Sequence, residues 1–333
     1  MKSPQYKAKI IINLALILLL AGSCTPKQKI EDFRTHKNCR VVQNFLTKFD
    51  KDYASKFSKN KIFNYSNSQG LIGELSGIFI TDQPCTRKIL SFSNKLSDYT
   101  KVAILKALIG AESYEAAKEF SSKNYLNRQL EHFQDTKSIK TTISEFLPAT
   151  NDLLIGAYNS TGDNLYLDNI LQNFKTADKK MVKDAIRFGF MYSKFGKPFS
   201  PDKDRFANHF ANIAKSLKEK YYNKKDPKPF SRLMTLSTAF WALNSLAQND
   251  RNLSRHLKQF FLEGELKDIF LIEQNHFSNY LTGLVMDAVD IGKSDKILLT
   301  KEEINLQEFV KKNKKLIADY ENLKEPNVME LIK

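Results

Sequence analysis

Apolar residues that recur every three or four positions, with few helix breakers among them, constrain this chain more than any other feature. The clearest case follows the stretch "SPDKD". Phe206, Phe210, Ile213, Leu217 and Tyr221 are spaced 4, 3, 4 and 4 apart, which sets them on one face of a helix. Ser200 is placed to cap that helix, Pro201 suits its first turn, and Asp202 and Asp204 favour its N-terminus. Twelve glycines and nine prolines in 333 residues leave few places to interrupt such a pattern. The expected fold class is all-α, an irregular multi-helix bundle or an α-solenoid-like stack of helical hairpins.

Further helices are expected around 30–58, 89–110, 113–122, 137–147, 151–160, 164–174, 178–195, 231–248, 251–262 and 266–289. A last one starts at Thr300, where Glu303 three residues on completes a capping box. The stretch "GLIGELSGIFIT", Gly70 to Thr81, is ambiguous. Gly70, Gly73 and Gly77 weaken a helix, and Ile78-Phe79-Ile80 would suit a short strand. Residues 153–174 and 239–261 each read as an apolar helix, a polar reversal and a second helix, and 105–120 is a compressed version. The reversals near 110, 162 and 250 follow no fixed period, so no consensus repeat is met. At Ser160-Thr161-Gly162-Asp163 a helix should stop on the glycine and the next start on the aspartate. "NKKDPKP", Asn223 to Pro229, is a break or long loop near 223–230.

The N-terminus carries a different signal. Lys2, Lys7 and Lys9 precede an apolar run that ends abruptly in "LILLLAGSC", Leu16 to Cys24. A membrane-spanning helix needs about 20 apolar residues, and the run from Ile10 to Leu20 is about half that, so the pattern is that of a secretory signal. The tetrad Ala21-Gly22-Ser23-Cys24 resembles the lipobox of bacterial lipoproteins, although Leu20 stands one place earlier than that family's usual leucine. The resemblance implies a diacylglyceryl group on Cys24, cleavage just before it, and acylation of the new amino terminus. An ordinary signal peptide cut near Ser23 is the alternative. On the lipoprotein reading, residues 1–23 are the signal peptide, 24–30 a lipidated tether and 31–333 the helical domain. The resemblance also points to the cell envelope, with the outer membrane facing the periplasm as the commoner destination and surface exposure as a variant.

Cys39 and Cys85 remain, an even pair in an exported chain, so a disulfide is the default. Two reduced, buried thiols are the alternative. The formal charge is +15, and removal of Met1–Ser23 takes away Lys2, Lys7 and Lys9 to leave +12. Such a balance suits anionic lipid, acidic polysaccharide or an acidic protein surface. The charges are mixed along the chain, however, and most of the lysine reads as solvated helix surface. Nucleic acid would need a dense basic stripe with base-reading residues, and an exported chain has no ready access to it.

No linear motif carries chemistry. Gly-x-Ser-x-Gly, His-Glu-x-x-His and a phosphate-binding glycine loop are all missing. Glu273 and His276 form one Glu-x-x-His pair, half of what a di-iron bundle needs, and no second pair exists. No metal, small-molecule cofactor or catalytic residue is inferred. The candidate binding residues are aromatic: Tyr221 and Tyr222 beside Lys220, Lys224 and Lys225, and Trp241 among small residues. A packed or solvated helix end accounts for the tyrosines equally simply. The expectation is an envelope-anchored binding or scaffold component with an envelope protein as partner. The alternatives are a hydrolase of an envelope polymer that uses carboxylates assembled by the fold, and a surface lipoprotein that meets host molecules.

Overall fold

The computed structural model describes residues 38–54, 68–195, 203–247, 250–261, 264–273 and 276. Among them 81% are helical, in 13 helices, and none forms a strand. The chain divides into two units. Unit 1 runs up to Phe174 and takes in Pro227–Thr235. Unit 2 holds Lys175–Asp226 and the chain from Leu236 onward.

Unit 1 begins with α1, Cys39–Phe49, where the Asn38 side chain accepts from the Arg40 N–H at 3.1 Å. Cys39, Val42, Phe45, Leu46 and Phe49 form its buried stripe. A π-helical turn, Asp50–Ala54, follows. The next helices are α2, Gln69–Thr81, and α3, Gln83–Phe92. One residue, Asp82, separates them, and its carboxylate accepts from the Cys85 N–H at 2.8 Å as the cap of α3. Helix α4 spans Asp98–Gly110. Its flanking Ser97 makes no side-chain cap. Asp50, the first residue of the π-helical turn, supplies one instead, with Oδ1 accepting from Ser97 N at 3.0 Å, Ser97 Oγ at 2.5 Å and Thr100 Oγ1 at 2.6 Å.

Helix α2 is the centre of this unit. Every residue from Leu71 to Phe79 is buried, so it has no polar face and no amphipathic stripe. One side meets α7, Pro148–Thr161. Gly70 faces Asp152, Gly73 faces Leu153 and Ala157, and Gly77 faces Ser160 and Thr161. The numbers rise together on both helices, so the two run parallel. A Cβ at Gly73 would overlap the Leu153 carbonyl, and one at Gly156 would overlap the Gly70 carbonyl. On α4, the Ala107 carbonyl accepts a hydrogen bond from Ser76 Oγ at 3.0 Å.

Helices α5, Tyr114–Lys123, and α6, Asn127–His132, are short and follow turns in which Glu112 and Tyr125 take positive φ. The expected helix over 137–147 is not formed. Only a single 3-10 turn, Ile139–Thr141, lies there. Ser138 competes for the local backbone groups, with Oγ accepting from Lys140 N and its carbonyl accepting from Thr142 Oγ1 at 2.8 Å. The strap lies on α8, Leu165–Thr176, whose Asn169 and Asn173 amides donate to the Lys140 and Glu145 carbonyls at 3.0 and 3.1 Å. Gly162 ends α7 at φ 75°, and Asp163 Oδ1 accepts from Leu165 N at the start of α8.

Unit 2 contains α9, Lys179–Phe195, and α10, Lys203–Tyr221. Helix α11, Lys228–Ala247, gives its first turns to unit 1 and the rest to unit 2, and α12, Arg251–Phe261, and α13, Lys267–Glu273, follow. Gly189 lets α9 approach the Ser237 carbonyl of α11 closely. Residues 222–227 form the loop between α10 and α11. No helix among the described residues is long and apolar enough to cross a membrane.

Candidate functional site

Disulfide Cys39–Cys85 joins α1 to α3, with a Cα–Cα distance of 5.4 Å. Both cysteines are buried. The bond fixes two helices with an unusual charge pattern. The chain has no acidic residue from Phe33 to Phe49 and none from Gln83 to Ser97. Each acid-free run contains one of the cysteines, so the disulfide sets the two side by side. Asp50 and Asp82, the acids that bound these helices, are occupied as caps of α4 and α3.

An open groove of about 600 Å³ lies here, lined by Gln43, Pro84, Arg87, Lys88, Ser91, Phe92 and Lys95. Arg87, Lys88, Ser91 and Lys95 are exposed. Gln43 donates from Nε2 to the Lys88 carbonyl at 3.4 Å, which ties α1 to α3 at the groove. Lys95 Nζ stands 5.8 Å from the centre of the Phe92 ring. Some lysines elsewhere in this unit pair with acids a helical turn away, as in Lys101–Asp98 and Lys118–Glu115 at 3.8 and 2.9 Å. The groove offers three cations, two neutral polar groups and some apolar surface, which is chemistry for holding an anion. It offers no acid–base pair.

Two carboxyl groups in this unit stand apart from the groove. Glu74 on α2 is buried, its Oε1 has no hydrogen-bond partner, and burial pushes its pKa up to about 8. Asp152 on α7 is half-buried, its Oδ2 is sealed and unpartnered, and burial raises its pKa to about 8 as well. A raised carboxyl pKa suits a general acid. Here, however, the cause is desolvation between tightly packed helices, and neither acid lines the groove.

Of the residues singled out from sequence, Cys39 and Cys85 are brought together, while Cys24 lies outside the described residues. Tyr221 donates from its hydroxyl to Asp184 Oδ2 at 2.7 Å, and Lys220 pairs with the same oxygen. Burial raises the Tyr221 pKa. Tyr222 is exposed, with Lys218 Nζ 5.3 Å from its ring centre. Trp241 is half-buried on α11 beside the buried Phe240.

Glu273 is buried against Arg187, whose Nε donates to Oε2 at 2.9 Å and whose Nη2 stands 2.7 Å from Oε1. His276 Nδ1 lies 3.2 Å from the same Oε2, and burial lowers its pKa despite the glutamate. The Glu-x-x-His pair is thus committed to an arginine. Among the described residues no group of three or more metal-type side chains gathers.

Comparison with protein-family models, curated proteins and solved structures finds no match.

The sequence reading missed Arg87, Lys88, Lys95, Glu74 and Asp152. For the cations a signal existed, since the acid-free runs are visible once the two cysteines are paired. For the buried acids there was none, because a glutamate inside an apolar helix looks like its solvent face.

Proposed function

We propose that this chain is an envelope lipoprotein, anchored through Cys24, whose helical body binds a partner and performs no chemistry. The observation that carries the reading is the cationic groove on α1 and α3, held by Cys39–Cys85 at the end of the body nearest in sequence to the anchor. A disulfide suits an exported protein, and unpaired cations without an acid–base pair suit recognition of an anionic surface. For the hydrolase alternative, the carboxyl groups with raised pKa among the described residues are Glu74 and Asp152, and desolvation between helices explains both without catalysis.

Metabolic labelling with an alkyne fatty acid tests the anchor. The wild-type chain should take up label and Cys24→Ser should not. Crosslinking in cells, run on both forms, tests the binding role. Defined envelope proteins recovered with the wild type and lost with Cys24→Ser support a tethered scaffold. Label on Cys24→Ser would refute the lipid site, and degradation of an envelope polymer by the purified chain would refute a purely binding role.

A further inference from the structure

The groove's charge and its distance from the anchor narrow the anion that it takes. Helices α1 and α3 together carry Arg40, Lys48, Arg87, Lys88 and, in the turn after α3, Lys95, with no acid among them. Arg87 and Lys88 have no carboxylate partner among the described residues. The surface is mixed rather than purely charged, because Pro84 and Phe92 line the same groove. Phosphate oxygens match the arginine fork and the lysine ammoniums, while the apolar lining suits the region just beneath a headgroup. Asn38, the first described residue, is 14 residues after Cys24, a span of at most about 50 Å. A body on so short a leash cannot leave the membrane that holds its anchor.

We propose that the groove between α1 and α3 is a docking surface for the headgroups of anionic phospholipids, and that it holds the folded body against the membrane. The placement beside the membrane rests on the Cys24 anchor proposed above; the affinity of the groove does not. Each basic residue near an anionic bilayer contributes roughly fivefold in partitioning. Arg87, Lys88 and Lys95 together should therefore contribute on the order of 100-fold. The attraction should weaken as salt shortens the screening length.

The test uses the chain from residue 24 onward carrying Cys24→Ser, so that no acyl chain is present. Flotation is measured with vesicles of phosphatidylcholine alone, and with vesicles containing about a third phosphatidylglycerol, at low and at physiological salt. The protein should float with the anionic vesicles only, and less at higher salt. Arg87→Glu/Lys88→Glu/Lys95→Glu should cut partitioning at least tenfold, with an unchanged circular dichroism spectrum because these side chains are exposed. Lys224→Glu/Lys225→Glu, on the loop of unit 2, should leave more than half of the partitioning intact. The milder Lys88→Gln should give an intermediate loss.

Equal binding to neutral vesicles would overturn the proposal, and so would an equal loss from the unit 2 variant. Saturable binding of inorganic phosphate without vesicle binding would identify a site for a free anion and also overturn it. If the chain floats as described but Cys24 takes no label in cells, the groove stands and the anchor falls. If Cys24 is labelled and the unacylated chain does not float, the reverse holds.

Discussion

A carboxyl group sealed between helices must keep its proton in order to fold. Glu74 has an ordinary pKa near 4.5 and is pushed to about 8 in the folded chain. Below pH 4.5 both states are protonated and folding costs nothing extra. Between 4.5 and 8 the unfolded chain has lost the proton and the folded chain keeps it, so stability falls as pH rises. Above 8 the penalty is constant. Asp152 behaves alike from 3.8 upward. Each acid contributes a slope of up to about 1.4 kcal/mol per pH unit. His276 works the other way, because burial lowers its pKa and the fold gains stability as pH rises toward 6.5. Urea melts at pH 5 and 7.5 should show the native chain weaker at 7.5. Glu74→Met should raise stability at pH 7.5 and flatten the slope, with little effect at pH 4. An unchanged slope would mean that Glu74 is charged in the fold and has a partner.

Glu273 poses the opposite problem at the same scale. It is buried beside Arg187, whose own side chain is half-exposed. Removing the arginine leaves a buried carboxyl group without its partner, and Arg187→Met should cost about 2–4 kcal/mol. Adding Glu273→Met should restore most of that, because a buried ion pair replaced by apolar groups of similar size is close to neutral. Chemical denaturation of the two variants decides the matter. A double variant as weak as the single one would assign the loss to packing of the arginine stem.

At the scale of elements, α2 and α7 depend on having almost nothing between them. Gly73→Ala would push a methyl into the Leu153 carbonyl. It should cost about 1–3 kcal/mol, even though alanine favours the helix by up to about 1 kcal/mol. At Gly70 a Cβ meets only the Asp152 carbonyl, at 3.9 Å. There the alanine should be neutral or stabilising by up to about 1 kcal/mol. Thermal melts of the pair, read side by side, check the parallel crossing directly. If both behave alike, the helices are not in that register.

The same crossing explains what sequence could and could not reveal. One-sided stripes such as that of α1 are legible, because water on one face writes polar residues there. Helix α2 is buried all round, so its pattern has no period, and its glycines look like breakers when they are contact points. Residues 89–110 read as one helix, yet the chain stops at Lys95 and restarts at Asp98 because Asp50 caps the second helix from 47 residues away. The strap over 137–147 depends likewise on amides from α8. Local capping is written in local sequence, whereas borrowed capping is not. The groove falls between these cases, since its charge was present in the chain but its shape came from the disulfide.

For the whole molecule, the disulfide should act on one unit and not on both. Cys39–Cys85 closes a loop across 46 positions within unit 1. On the chain-entropy model, its loss costs at most about 4 kcal/mol. Both α1 and α3 present buried stripes of their own, so the reduced chain should still fold at moderate temperature, only less stably. Unit 2 contains neither cysteine, and Val182, Ile186, Leu253, Leu257 and Phe261 are among its buried residues. Hydrogen exchange followed by mass spectrometry, before and after reduction, should show faster exchange across α1, α3 and α4, with α9 and α12 nearly unchanged. Helix α11 is the informative element, because its residues divide between the units at Thr235 and Leu236. If exchange rises in its first two turns and not in its last three, the units unfold separately. If the whole helix and α12 lose protection together, the backbone of α11 couples the two units into one cooperative transition. In that case, reduction at the groove would weaken the entire body.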